Sequence, residues 1–112
     1  MRPNERIKEA QRVLEAEAKA IFASSRKINS HFSKSVDLII NCKGTVVISG
    51  IGKSGNVGKK ITSTFASLGT PSIFLHASDA FHGDLGILRK NDLLMLISNS
   101  GETEELIKLI NY

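Results

Sequence analysis

A chain of 112 residues with 41% apolar and 23% charged side chains has the length of one domain and an ordinary globular composition, which excludes a disordered chain. Its formal charge of +4 sits entirely in residues 1–43, where nine basic and five acidic side chains are interleaved; residues 44–112 are neutral. With no continuous basic block and few aromatics, that charge describes a solvated helix face, and no nucleic-acid partner is expected.

The first twenty residues are charged throughout and lack the apolar stretch of a secretion signal, so a cytoplasmic protein is expected. Within residues 4–24, Ile7, Ala10, Val13, Leu14, Ala18, Ile21 and Phe22 recur at three- and four-residue spacings, which predicts an amphipathic helix. A second helix is predicted from about Asn29 to Asn41, striped by Phe32, Val36, Ile39 and Ile40 and stopped at Lys43–Gly44. His31 falls on this helix as a surface residue. Cys42 is the lone cysteine, which leaves no internal disulfide framework and no cysteine zinc cluster and fits a reducing compartment.

Thr45 to Ser49 is apolar and β-branched on successive residues, as in a parallel strand buried on both faces. A glycine loop, SGIGKSG, follows, and then a helix predicted from Val57 to Leu68, ended by Gly69-Thr70-Pro71. Ser72 to His76 reads as the second strand, residues 77–91 as a polar loop, and Asp92 to Ser98 as the third strand. The longest apolar run, Leu93 to Ile97, is far too short to span a bilayer, so no membrane partner is expected. NSGET then opens a last helix from Gly101 to about Ile110.

Strands alternating with helices imply an α/β fold, a doubly wound parallel sheet with right-handed crossovers behind two N-terminal helices. We divide it into a helical segment, residues 1–43, and an α/β part, residues 44–112. In a flavodoxin-like strand order, strands one and three are neighbours, and a crevice opens at their carboxyl ends. The loops SGIGKSG and SNSGET follow those two strands and would face each other across it.

Three kinds of phosphate could sit there. A nucleotide P-loop requires a glycine at position 47, where the chain has Val47. The dinucleotide fingerprint G-x-G-x-x-G matches at Gly50, Gly52 and Gly55, but the second strand closes in His76 rather than in the acidic residue that would hold a ribose, and Lys53 is unusual in such a loop. The second loop favours a small phosphate ester. Ser98, Asn99, Ser100 and Thr103 supply three hydroxyls and an amide at an expected helix start, more than a helix cap requires. With Gly52, Lys53 and Ser54 they form the expected phosphate-binding set.

SGIGKSGNVGKKITSTFASLGTPSIFLHASDAFHGDLG followed by ISNSGETEEL resembles the sugar isomerase (SIS) domain and, more narrowly, the arabinose-5-phosphate isomerases, over residues 37–112. The resemblance implies an enzyme without cofactor that interconverts ribulose 5-phosphate and arabinose 5-phosphate, at the entry to the Kdo sugar of lipopolysaccharide or capsule. It implies that Lys53 corresponds to an active-site lysine and Glu105 to an acid/base glutamate, that His82 in HGDLG belongs to the pattern, and that the complete protein is a homo-oligomer. SIS domains normally run two strands further, and CBS modules follow in many members. The resemblance therefore covers the N-terminal part of the domain only, a sheet truncated after the third strand and its following helix, with an open apolar edge. A chain of this extent is expected to be inactive alone.

On chemistry, Lys53 could stabilise an enediolate oxygen or the phosphate. Glu102 and Glu105, three apart, would share a face of the last helix. His82 could shuttle a proton near neutrality, or order its loop by bonding Asp79 or Asp84. No metal is expected. His76 and Asp84 could form a set with His82, but three ligands at loose spacing are a weak signal. The other function class is a non-catalytic sugar-phosphate-binding SIS module of a regulator.

Overall fold

The computed structural model describes residues 1–111 and divides into two compact units, one from Met1 to Val36 and one beginning at Asp37. The first unit is built on α1 (Pro3–Ser25). Pro3 supplies a preset φ at the first helical position, and the Glu5 carboxylate accepts the backbone N–H of the N-cap residue Arg2 at 2.6 Å. The predicted stripe forms, yet no residue of α1 is buried. α2 (Ser30–Ile40) crosses the division between the units.

The second unit is the sheet and its helices: β1 (Val46–Gly50), α3 (Gly52–Ser67), β2 (Ser72–His76), α4 (Ala77–Ala80), a 3-10 turn (Asp84–Ile87), β3 (Leu93–Ile97) and α5 (Glu104–Ile110). The three strands are parallel in the order β2-β1-β3, so β1 is central. This is the expected doubly wound order. Val46, Val47, Ile48 and Ser49 are essentially inaccessible to solvent, which is why the segment reads as an unbroken apolar run. Ile48 faces α3, where Gly58 leaves room for it and for the ring of Phe74. Val47 faces the other way, into a core with Leu75, Ala77, Ala80, Leu106 and Leu109. The third strand lies at the edge of the described sheet and is half-buried along its length. Among the described residues no helix is long and apolar enough to cross a membrane.

Four boundaries differ from the sequence expectation. The helix after β1 starts at Gly52, not Val57, because buried Gly55 and Gly58 let its first turns lie directly on the sheet. The segment 77–91 is not simply a polar loop: Ala77 and Ala80, three apart, are fully buried and draw the chain into α4. The last helix begins at Glu104 rather than Gly101, whose φ of +71° lies outside helical space. Gly44 does not stop α2, which ends at Ile40. A Cβ at Gly44 would lie 2.6 Å from the Asn91 carbonyl oxygen, so the glycine is required by the approach of the 91–92 backbone and carboxylate.

Asp92 is the tie at that end of the sheet. Its carboxylate accepts the N–H of Thr45 and the N–H of Arg89, each at 2.8 Å. These two donors, Thr45 first, hold its pKa below the ordinary 3.8. A depressed carboxylate pKa contributes stability that is complete above the unfolded-state value and is lost as pH falls through the folded-state value. The stability gap between the parent and Asp92→Asn is therefore expected to be full above pH 3.8 and to close as the pH falls further, in urea melts across an acid series. A second test concerns Ser49, whose buried hydroxyl has no hydrogen-bond partner among the described residues. An unsatisfied buried hydroxyl costs on the order of 1 kcal/mol, so Ser49→Ala should raise stability by about that amount; a loss of similar size would show that the hydroxyl is bonded.

Candidate functional site

Gly50 of β1 pairs with Ile97 of β3, so the residues that follow the two strands leave the sheet at the same level. This is the topological switch point, where the chain from β1 returns on one side and the chain from β3 on the other. The turn out of β1 is short. Ile51 is extended, Gly52 adopts a φ of +59°, and α3 begins at once. Gly52 and Lys53 are exposed and Ser54 is half-buried. They therefore lie on the first turn of a 16-residue helix and not in a free loop. That turn contains no acidic residue, and Lys53 adds its charge to the positive end of the helix dipole. The local field favours an anion.

Gly55 makes this geometry possible. A Cβ there would lie 3.0 Å from the carbonyl oxygen of Gly50. The spacing Gly50, Gly52, Gly55 thus has a physical content independent of any dinucleotide: one glycine turns the chain and another seats the helix on the strand. Sequence reasoning left Gly55 out of the site; the literal G-x-G-x-x-G match was the signal that pointed to it.

The segment after β3 is a tight turn held by its own hydroxyls. Ser98 Oγ accepts the N–H of Gly101 at 3.0 Å and lies 2.8 Å from Thr103 Oγ1. Ser100 Oγ accepts the N–H of Glu102 at 3.1 Å and lies 3.5 Å from Ser98 Oγ. A hydroxyl that accepts a backbone N–H keeps its own proton to donate, so exposed Ser100 presents a donor at the tip of the turn, with Asn99 exposed beside it. Ser98 and Thr103 also line a pocket of about 230 Å³ with Leu96, Gly101, Leu106 and Ile107. The structure thus brings Ser98, Ser100 and Thr103 together and sets them at the sheet end shared with Gly52, Lys53 and Ser54.

Other candidates fall differently. Glu102 lies in the turn and Glu105 in the first turn of α5, so the shared helical face expected for them does not form. Glu104 pairs with Lys108 at 3.3 Å, while Glu105 is half-buried. His82 is exposed after α4 and donates its backbone N–H to the Asp79 carbonyl. His76 closes β2, and its Nδ1 accepts the N–H of Ser78 at 3.3 Å. Among the described residues no three His, Cys, Asp or Glu side chains are gathered to hold a metal, so His76, His82 and Asp84 do not form such a set. His31 is an exposed residue of α2.

Fold and switch point together define a doubly wound α/β domain with an electropositive helix start and a hydroxyl-rich turn at the same end of its sheet. The chain belongs to the SIS domain family, whose family model matches residues 38–112. Over 104 residues it is 53% identical to a Haemophilus influenzae protein named "Probable arabinose 5-phosphate isomerase", covering 93% of this chain and 31% of that protein. It is 49% identical over 105 residues to the arabinose 5-phosphate isomerase KpsF of Escherichia coli O6:H1 strain CFT073, covering 93% and 32%. An E. coli CFT073 protein solved in complex with arabinose 5-phosphate superposes with a TM-score of 0.93 at 40% identity, covering 99% of this chain and 59% of that one. The chain thus spans about a third of the length of the curated relatives it matches.

Gly55→Ala tests the seat of the helix. Because the atoms met are backbone, relief requires α3 to move off β1, and we expect a loss of about 1–3 kcal/mol in denaturant melts. Gly86→Ala, where a Cβ meets nothing within 4 Å, should be close to neutral in the same measurement.

Proposed function

We propose that the protein is an aldose–ketose isomerase that interconverts ribulose 5-phosphate and arabinose 5-phosphate, feeding Kdo for lipopolysaccharide or capsule. The observation that supports this reading is the register of Gly50 with Ile97, by which the two segments we assign to the phosphate follow the strands at one end of the sheet. The names of the relatives and the arabinose 5-phosphate in the neighbouring structure support a sugar phosphate as the ligand.

The reaction moves a proton between C1 and C2 through an enediol, with no net redox change and no cofactor consumed. It needs a proton-transfer group at the carbon, a stabiliser for the developing oxyanion and a grip on the remote phosphate. In our assignment Gly52, Ser54, Ser98, Asn99, Ser100 and Thr103 grip the phosphate. Lys53 stabilises the enediolate oxygen, and its position at an uncompensated helix start supports that role. Glu105 transfers the proton, since Glu104 is engaged with Lys108. His82 serves as a second acid/base. We assign residues 1–43 to a helical segment outside the chemistry and residues 44–112 to the α/β part. The protein acts in the cytoplasm as a homo-oligomer.

Turnover is measured on the protein with ribulose 5-phosphate and arabinose 5-phosphate. Lys53→Ala and Glu105→Gln should each lower kcat on the order of 10²-fold or more. Ser100→Ala should mainly raise KM, because the phosphate is gripped alike in ground and transition states. Sugar-phosphate binding without turnover would favour a regulatory binding module.

A further inference from the structure

At the carboxyl end of β1 the strand and α3 touch backbone to backbone. A Cβ at Gly50 would lie 3.0 Å from the Gly55 nitrogen, and one at Gly55 would lie 3.0 Å from the Gly50 carbonyl oxygen. Such a contact fixes the height of the helix start above the sheet. It has no side chain to fix where that start lies from strand to strand.

The neighbouring strand supplies that side chain. Phe74 of β2 is the register partner of Ile48, and register partners on adjacent strands point to the same face of a sheet. Phe74 therefore points toward α3, as Ile48 does. Its Cζ would lie 3.5 Å from a Cβ at Gly55, and its Cε2 3.1 Å from one at Gly58. These glycines are three apart and share one face of the helix. Phe74 is the nearest side chain at both positions, and the tip of its ring lies toward the turn that carries Lys53 and Ser54. The ammonium of Lys59, next to Gly58, lies 5.4 Å from the ring centroid, so α3 also holds the ring by a cation–π contact.

β2 and β3 lie on opposite sides of β1. A ring pressing on α3 from the β2 side thus sets how far the helix start lies from the residues after β3. With the ring gone, the first turn can settle toward β2, away from Ser98 and Ser100.

We propose that Phe74 is a positioning residue for the reaction: its ring sets the lateral place of the first turn of α3 and, through it, the reach of Lys53 across the end of β1. This rests on the isomerase reading above, in which Lys53 stabilises the enediolate oxygen. The test is a double-mutant cycle on kcat with Phe74→Leu and Lys53→Ala. Phe74→Leu alone should lower kcat about tenfold, since misplacing a reacting group by about 1 Å costs up to about a hundredfold. In the Lys53→Ala background the same change should cost less than about twofold, because the group it misplaces is already gone. An equal or larger loss in that background would show a role in stability alone and overturn the proposal, and so would no loss in either. Should Phe74→Leu not fold, Gly58→Ala replaces it in the cycle, its methyl pressing on the ring from the helix side, and the same outcomes decide. All of these leave the isomerase reading in place. A parent that binds arabinose 5-phosphate without turning it over would overturn that reading; Lys53 then serves the phosphate, and the cycle is read on the dissociation constant. A parent that does not bind arabinose 5-phosphate would overturn both.

Discussion

Everything in the second unit depends on β1 being paired on both edges and covered on both faces. Five residues carry this: Val46 to Gly50 hydrogen-bond to β2 on one side and β3 on the other. Val46, Val47 and Ile48 are removed from water almost completely, each worth about 1.5–3 kcal/mol of burial. Because side chains alternate along a strand, a slip of one residue would turn Val47 and Ile48 to the wrong layers. The register is therefore fixed by packing, and with it the level at which the chain leaves each strand. The candidate site is a consequence of that level.

The second constraint is space between β1 and α3. Gly50 and Gly55 meet backbone to backbone, and Gly58 admits Phe74 and Ile48. Replacing that close approach by ordinary side-chain packing would lift α3 from the sheet and carry the first turn, with Lys53, away from the residues after β3. Glycine is a poor helix former, so its presence at 52, 55 and 58 costs local helix propensity. At 55 and 58 the cost is offset by contacts that no larger residue permits, and at 52 glycine is favoured by the φ of +59° in the turn. A stretch that reads locally as a loop thus folds as a helix.

This explains what could be read in the sequence and what could not. The strands were legible to within a residue or two because an unbroken β-branched run such as Thr45 to Ser49 has one obvious home. The strand order and the joining of two polar segments at one sheet end followed from the alternation of strands and helices. The start of α3 was not legible, since periodicity cannot report a helix whose inward face is glycine. Nor was α4, where Ala77 and Ala80 are too small to mark an apolar stripe within a polar segment. The role of Gly44 is hidden for a related reason: a glycine after a helical pattern looks like a stop, whereas this one yields space to a residue far along the chain that bonds its neighbour Thr45. Long-range contacts of this kind leave no local signature.

The two ends of the sheet are built differently, and the difference bears on function. At the amino ends of the strands, partners come from far along the chain. Asp92 holds Thr45, Leu93 N–H bonds the Thr45 carbonyl, Val46 N–H bonds the Pro71 carbonyl, and the Ser72 hydroxyl donates to the Val46 carbonyl. At the carboxyl ends the polar groups bond within their own turns: Ser98 with Gly101 and Thr103, Ser100 with Glu102, His76 with Ser78. Cross-links at one end lock the strands together, while the other end is left as separate, internally ordered turns. Such turns keep their shape without committing their outward donors to one another. Under the reading proposed above, a phosphate ester bound there would join the turn after β1 to the turn after β3 as Asp92 joins the strands at the other end.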